Sequence, residues 1–350
     1  MSKKILFVGA GAIGSYIGSF LTRAGHDVTL IDPWAEQVET VRAKGIGVTG
    51  PHDPFTARPK IYHLHEAQRV PRDFEVAFVA MKVYDTEWAT QLALRHLAAD
   101  GVVVSSQNCW PDPRVAAVAG AERSLGLIMS KIGVALWTPG QVERGMEKGT
   151  GRGHDVFRVG EHDGRVTKRA QELAEMLAVV DGSQVTENLW GERWSKLCAN
   201  SMGNPVQAMS GLGSLDIASS EIGRAITIHL AGESARVGLA QGYTIPKFNG
   251  ETAERWADST KRETWQALDT MLTPKAAGGR NWKASMAQDV HKGRPTEIDY
   301  MNGHVVARGK EKGVPTPISV ATVSVVREID AGTRKQAPEN IAEVLKRAGV

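Results

Sequence analysis

Lys196, Asn200 and Asn204 recur four residues apart in the run Trp194-Ser195-Lys196-Leu197-Cys198-Ala199-Asn200-Ser201-Met202-Gly203-Asn204-Pro205. On a single helix this spacing lines one face, with a drift of about 80° over two turns. The face would carry one titratable ammonium and two carboxamides. That is poor core material, because a buried lysine needs a partner. It suits gripping a polar ligand and handing it a proton. The plain alternative is a solvated polar face with an ordinary lysine. Pro205 is expected to end or kink the helix after Asn204.

A second polar cluster runs from Trp282-Lys283-Ala284-Ser285-Met286-Ala287-Gln288-Asp289 to Gly293-Arg294-Pro295-Thr296-Glu297-Ile298-Asp299-Tyr300-Met301-Asn302-Gly303. Local chemistry offers a structural reading of it. Ser285 with Gln288 fits a capping box, Thr296 with Asp299 resembles another, and Glu297 would favour a helix N-terminus.

The N-terminus carries a third signal. Ile5–Val8 is a short apolar run, Gly9-Ala10-Gly11-Ala12-Ile13-Gly14 follows, and an amphipathic stretch leads to Gly25. Val28–Ile31 is a second apolar run closed by Asp32. A lone GxGxxG is weak, but here it follows a strand, opens a helix and has an acidic residue after the next strand. Gly9 makes the tight turn, Gly11 lets backbone N–H groups reach a pyrophosphate, and Gly14 lets helix and strand pack closely. Ala12 and Ile13 supply the first turn of the helix that faces the phosphates. Asp32 can accept from an adenosine ribose diol. Pro33-Trp34 follows, with no Arg or Lys to take a 2′-phosphate, so NAD(H) is preferred and NADP(H) stays open.

These residues need a scaffold. Val76–Ala80 ends at Met81-Lys82 and Val102–Ser105 at Gln107-Asn108, with a helical stretch over Thr86–Leu97 between them. Alternating strands and helices predict a parallel sheet with ligands at its carboxyl edge, which would align Gly9, Asp32, Lys82 and Asn108. The plain readings of Lys82 and Asn108 are a solvent lysine and a turn residue. Residues 51–59 read as a loop, 60–62 as a short strand, 125–159 as further short strands broken by Gly and Pro, and 145–154 within them as a flexible Gly-rich segment. Beyond Glu187 strand signals thin out and helical spacing takes over, at 222–240, 253–272, 318–330 and 341–348. The predicted division is a dinucleotide-binding domain over residues 1–186 and a helical domain over 187–350.

The 350-residue chain is 42% hydrophobic and 23% charged with a formal net charge of +3, an ordinary soluble composition for two domains. No basic block supports nucleic-acid binding. Cys109 and Cys198 make no disulfide framework, and no apolar run reaches spanning length. A cytoplasmic protein is expected, with neither membrane nor nucleic-acid partner. His52, His63 and His65 lack a carboxylate or cysteine cluster at ligand spacing, so no metal is predicted.

The chain resembles the ketopantoate reductase family. The resemblance rests on Gly9–Gly14, Lys82, Gln107-Asn108, the Lys196/Asn200/Asn204-Pro205 stretch, and Ser285-Met286 with Gly293-Arg294, Thr296-Glu297-Ile298-Asp299 and Asn302-Gly303. It implies an α/β fold, a Rossmann domain followed by an all-helical domain, with the active site between them and a homodimer as the assembly. It implies Lys196 as general acid and Glu297 as the carboxylate that interacts with substrate and lysine. Asn200, Asn204 and Ser285 match substrate-binding positions, and Asn108 the residue that links the cofactor side to the lysine. The expected reaction is hydride transfer between a nicotinamide and a small 2-oxo acid or related carbonyl.

Three departures stand out. Cys109-Trp110 stands where the family has glycine after Gln-Asn, Asp32 where many members carry a basic residue, and the span between Pro205 and Ser285 is longer than usual and contains Trp256, Trp265 and Trp282. They point to NADH and to a pocket enlarged by tryptophans, in which a bulkier, aromatic hydroxy compound is the alternative substrate. Dehydrogenases of the hydroxyisobutyrate or glycerol-phosphate type, and a nucleotide-sensing binding protein without turnover, are the other readings. Burial should lower the Lys196 pKa and Glu297 should oppose that.

Overall fold

The β-branched and aromatic run at the N-terminus forms strand β1 (Lys4–Val8), and its alternate residues serve two cores. Ile5 and Phe7 point to one face, where α1 (Ala12–Arg23) brings Ile17 and Leu21; Leu6 and Val8 point to the other, where Ala89 and Ala93 lie on a later helix. A strand buried on both faces reads as a continuous apolar run, as this one does. Phe7 stacks on Phe78 at 4.5 Å between ring centroids. The computed structural model describes residues 2–274 and 281–350.

The chain divides into two compact units, Met1–Leu189 and Trp190–Val350. In the first, after β1 and α1, come β2 (Asp27–Asp32), α2 (Ala35–Lys44), β3 (Ile46–Thr49), β4 (Phe55–Ala57), β5 (Lys60–His63), β6 (Phe74–Val79), α3 (Thr86–His96), β7 (Leu97–Ser105), α4 (Asp112–Ala119), β8 (Ser124–Met129), β9 (Val134–Thr138), β10 (Gln141–Arg144), β11 (Phe157–Gly160), α5 (Lys168–Leu177) and β12 (Ser183–Val185). Among the described residues an eight-stranded sheet runs β12-β11-β8-β7-β6-β1-β2-β5. Its strands from β5 to β8 are parallel, and β11 turns antiparallel to β8. The order reverses between β1 and β6, the topological switch point at which doubly wound sheets bind ligands.

A second sheet runs β4-β3-β10-β9; β9 and β10 lie in the stretch 125–159 expected to hold strands, whereas β3 and β4 were not expected. The loop expected over residues 51–59 contains β4, three residues paired antiparallel to β3. The segment expected to be flexible, 145–154, is tied down: Gly149 N–H and Thr150 N–H and Oγ1 all donate to the Asp181 carboxylate at 2.8–3.1 Å.

The second unit is helical. Helix α6 (Leu189–Ser201) crosses the unit boundary; α7 (Asn204–Ser210), α8 (Ser214–Ser219), α9 (Glu221–Ala240), α10 (Ala253–Ala257), α11 (Arg262–Leu272), α12 (Ser285–His291), α13 (Asn302–Lys312), α14 (Pro317–Asp330) and α15 (Asn340–Ala348) follow. The single helix expected over 253–272 is broken by a 3₁₀ turn at Asp258–Thr260. The central helix α9 presents small residues. A Cβ on Gly238 would stand 2.1 Å from the Trp194 indole nitrogen, which donates to Ser234 O at 2.9 Å. Trp194 therefore pins α6 against α9. Lys196, two residues on, is rotated about 200° away from that buried face. No helix among the described residues is long and apolar enough to cross a membrane.

Candidate active site

The glycines of the first turn separate by what surrounds them. Gly9 has φ of 115°, and its N–H donates to Ile31 O at 2.8 Å. A Cβ on Gly14 would meet Gly9 O at 2.0 Å, so helix and strand close on that missing side chain. Gly11 is different. Its φ is −69° and a Cβ there would meet nothing within 4 Å. Neither backbone nor packing requires glycine at that position, which leaves room for an incoming group. Gly11 caps α1 without a side-chain hydrogen bond, and no acidic residue lies in the first turn. The N–H groups around Ala12, Ile13 and Gly14 thus open a helix N-terminus suited to phosphate oxygens. Replacing Gly11 with alanine should leave the thermal midpoint within error and weaken NADH binding at least several-fold by fluorescence titration. Gly14→Ala should instead lower stability by ~1–3 kcal/mol through overpacking. Equal effects of the two on binding and stability would overturn this division.

Asp32 ends β2 and is buried; its carboxylate accepts from Ala10 N at 2.5 Å and Trp34 N at 2.8 Å. These bonds orient the carboxylate at the end of β2. Two basic groups on the adjoining elements are committed to carboxylates. Arg42 of α2 pairs with Glu39 and Glu66, and His63, level with Asp32 on β5, meets Glu39 at 2.6 Å.

Lys82 and Asn108 follow β6 and β7, and Gln107 joins their strand ends. Its buried amide nitrogen donates to Met81 O and Lys82 O, both at 3.1 Å. The carboxyl edge therefore holds Gly9, Asp32, Lys82 and Asn108 in one unit, as the sheet order requires. The sequence reading passed over Gln107 as a partner of Asn108; its signal was its place at the end of a buried strand. Cys109 has φ of 66°, the left-handed conformation that glycine favours, so this turn keeps a glycine-type backbone and carries the cost at one residue.

In the second unit the expected single helix through Asn204 is two. Helix α6 stops at Ser201, Met202 and Gly203 turn, and α7 starts at Asn204 with Pro205 in its first turn. Pro205 starts a helix rather than ending one, because its fixed φ and missing N–H suit the first helical turn. Lys196 and Asn200 share a face of α6. Asn204 reaches Ser285, its Nδ2 3.4 Å from the hydroxyl oxygen. Ala284 N donates to Gln207 Oε1 at 2.8 Å and so fastens α12 to α7. Ser285 opens α12 without a capping bond, and Gln288 donates to Lys283 O instead.

Glu297 is buried at the entry of a 3₁₀ turn over Ile298–Tyr300. Thr296 before it is clamped by Asp330 at the end of α14, which accepts from Thr296 N at 3.2 Å and Oγ1 at 2.7 Å. No local pattern could have paired residues 34 positions apart.

Lys196 is partly exposed, yet its pKa falls from 10.5 to about 8. The first cause is burial, which disfavours the charged form, and the second is the Arg193 guanidinium one turn back on α6. Glu297 was expected to oppose the shift and does not contribute to it; no hydrogen bond or ion pair joins Lys196 to it among the described residues. The Cys198 thiol is fully buried and pushed up to about 12, which removes it as a nucleophile. Trp256, expected to line a pocket, is core: it has no exposed surface, stacks on Phe248 and donates to its carbonyl at 3.0 Å. Trp265 packs on His229. No group of three or more potential metal ligands is present among the described residues.

Comparison with known proteins gives matches over both units. A family model described as "Ketopantoate reductase PanE/ApbA" matches residues 5–155, and one described as its C-terminal part matches residues 188–330. A 2-dehydropantoate 2-reductase of Archaeoglobus fulgidus is 27% identical over 337 residues, covering 94% of this chain and 99% of the relative. The crystal structure of 2-dehydropantoate 2-reductase from Methylococcus capsulatus superposes with a TM-score of 0.71 at 25% identity, over 95% of this chain and 98% of that one. A ternary structure of D-mandelate dehydrogenase with NADH and anilino(oxo)acetate superposes at 0.75 with 22% identity, over 94% and 99%.

Proposed function

Because the chain belongs to the ketopantoate reductase family, we propose that Lys196 is the general acid of a nicotinamide-dependent reduction of a 2-oxo acid, with NADH as the preferred cofactor. The chain is an oxidoreductase acting on CH–OH groups, as its relatives are. This sets aside the sensor without turnover. Family models on both units set aside the hydroxyisobutyrate and glycerol-phosphate types.

The observation that carries the assignment of Lys196 is its pKa of about 8 on a face that also bears Asn200. An ammonium with that pKa is mostly protonated at pH 7 and gives up its proton readily. The bound nicotinamide supplies the hydride. Lys196 Nζ donates its proton to the carbonyl oxygen as that oxygen becomes an alkoxide. A cation at this position stabilises charge that develops only in the transition state. In the oxidising direction neutral Lys196 takes the hydroxyl proton. Asn200, Asn204 and Ser285 orient the polar substrate, the last two already side by side. Glu297, held by the Thr296–Asp330 clamp, stands as the carboxylate that orders substrate and lysine. Gly9, Gly11, Ala12, Ile13 and Gly14 hold the pyrophosphate, Asp32 the ribose, and Lys82 and Asn108 the edge beyond it.

The NADH preference rests on Asp32 and on the commitment of Arg42 and His63 to Glu39 and Glu66. A 2′-phosphate would meet a carboxylate there, with Arg42 and His63 already paired to carboxylates of their own. We expect kcat/KM for NADH to exceed that for NADPH by roughly tenfold or more, one unfavourable charge contact being worth about 1.4 kcal/mol or above. A preference for NADPH would refute it. A substrate screen followed by nicotinamide absorbance, with both cofactors and in both directions, tests the reaction; turnover of no 2-oxo or 2-hydroxy acid would refute it.

A further inference from the structure

We propose that Thr296 and Asp330 form a positioning pair that fixes the backbone of Glu297 and so aims its carboxylate, a proposal that rests on the role given to Glu297 above.

Glu297 has an uncommon backbone conformation. Its φ is −95° and its ψ 23°, in the sparsely populated bridge between the helical and extended regions. A residue stays there where its surroundings hold it, and such residues gather at sites that must present a side chain in one direction. Local bonds hold the far side of Glu297: Tyr300 N and Met301 N donate to its carbonyl at 3.1 and 3.0 Å. They close the 3₁₀ turn and leave its entry to be fixed by something else.

The entry is fixed from α14. Thr296 Oγ1 donates to Asp330 at 2.7 Å and accepts from Ile298 N at 3.4 Å, so one hydroxyl ties the residues on either side of Glu297. Thr296 N donates to the two Asp330 oxygens at 3.2 and 3.3 Å. A second contact comes from the same helix, where Arg327 Nε donates to Asp299 at 2.7 Å. Arg327 and Asp330 are three residues apart on α14 and share a face. Thr296 and Asp299 are also three apart. The pairs run in opposite order, 296 with 330 and 299 with 327, so α14 grips the turn at two points with Glu297 between them. The other end of α14 is anchored in turn: Ile318 N and Ser319 N each donate at 2.8 Å to Glu233, buried on α9.

The two contacts are unequal. The Arg327 and Asp299 side chains are 63% and 50% exposed, so that pair contributes little. Thr296 and Glu297 are buried, and a hydroxyl that donates to a carboxylate makes the stronger kind of bond. The aim of Glu297 therefore depends on Thr296 with Asp330. Asp330 itself is exposed, so removing it strands no buried charge and the fold should survive.

The test follows reduction of ketopantoate and phenylglyoxylate by the full-length protein, with NADH and with NADPH. Asp330→Ala and Thr296→Val should each lower kcat/KM by roughly 10–100-fold, the scale on which a small misplacement of an acting group is felt. Thr296→Ser keeps the hydroxyl and should recover most of the rate. NADH affinity by fluorescence titration should stay within about twofold throughout, which a general loss of structure would not allow. Should Asp330→Ala fail to fold, Thr296→Val reads the same contact. A double-variant measurement separates aim from packing. In a Glu297→Gln background either substitution should change kcat/KM by less than about threefold, because a carboxylate that is gone cannot be misaimed. The same loss with and without Glu297, or a folded Asp330→Ala or Thr296→Val within about twofold of wild type beside an impaired Glu297→Gln, would overturn the role of the pair and leave the functional reading in place. Full activity in Glu297→Gln, or a wild type that reduces neither acid with either cofactor, would overturn both.

Discussion

Lys196→Ala is expected to lower kcat by roughly 10²–10⁴, the scale of a lost general acid, while fold and NADH binding persist. The fold should persist because Lys196 makes no hydrogen bond or ion pair among the described residues, and because Trp194 and Leu197, both without exposed surface, anchor α6. Alanine is also the best helix former. The pH dependence separates this role from a structural one. With a pKa of about 8, Lys196 is an acid below that value and a base above it. The rate of reduction should be level at neutral pH and fall tenfold per unit above about 8; oxidation should rise over the same range. Both limbs should vanish in Lys196→Ala. Near wild-type turnover in the variant, or an unchanged alkaline limb, would refute the assignment.

The same shift makes a stability statement of the opposite sign. The folded-state pKa lies below 10.5, so between about pH 8 and 10.5 the unfolded chain binds more protons. Lys196 therefore lowers stability below pH 8, and the loss is recovered as pH rises towards 10.5. Lys196→Met should be more stable than wild type at pH 7, and this difference should shrink in alkaline buffer. A residue that gains rate at the expense of stability is what a functional site requires.

The two units were unequally legible in the sequence. The βαβ start could be read to within a residue or two because strand, glycine turn and helix follow one another locally, and Gly9, Gly14 and Asp32 take the places that spacing assigned them. In the second sheet β9 and β10 showed as short apolar runs, but β3 and β4, four and three residues long, did not, and the pairing of β10 with β3 across a long gap had no local sign. The break at Met202-Gly203 was misplaced for a physical reason: a proline stops a preceding helix and equally suits the first turn of a new one. Residue types told of Lys196, Asn204 and Ser285, but only packing showed Asn204 beside Ser285. The partners that set the chemistry, Arg193 for Lys196 and Asp330 for Thr296, were visible as charges without an address.

Asp181→Ala is expected to lower the stability of the first unit by about 3–5 kcal/mol, the cost of stranding one member of a buried ion pair. Asp181 and Arg144 have no exposed side-chain surface and meet at 2.5 Å. Asp181 also accepts from Gly149 N, Thr150 N, Thr150 Oγ1 and Gly182 N at 2.7–3.1 Å. Arg144 donates to Met146 O and Glu147 O at 2.8 and 2.9 Å. Removing the carboxylate leaves a buried guanidinium without its counter-charge and four donors without their acceptor. Asp181→Asn keeps an acceptor and removes only the charge, so it should cost less. The bonds to Asp181 outweigh its burial and hold its pKa near 2 against an ordinary 3.8. Its contribution is complete above about pH 4 and is lost as pH falls through 2. Urea unfolding of the three proteins should therefore give midpoints in the order wild type, Asp181→Asn, Asp181→Ala at pH 7, with the gaps narrowing towards pH 2. The release of residues 145–154 should appear as faster amide exchange at Gly149 and Thr150. A midpoint for Asp181→Ala within ~1 kcal/mol of wild type would show that the pair does not anchor this loop.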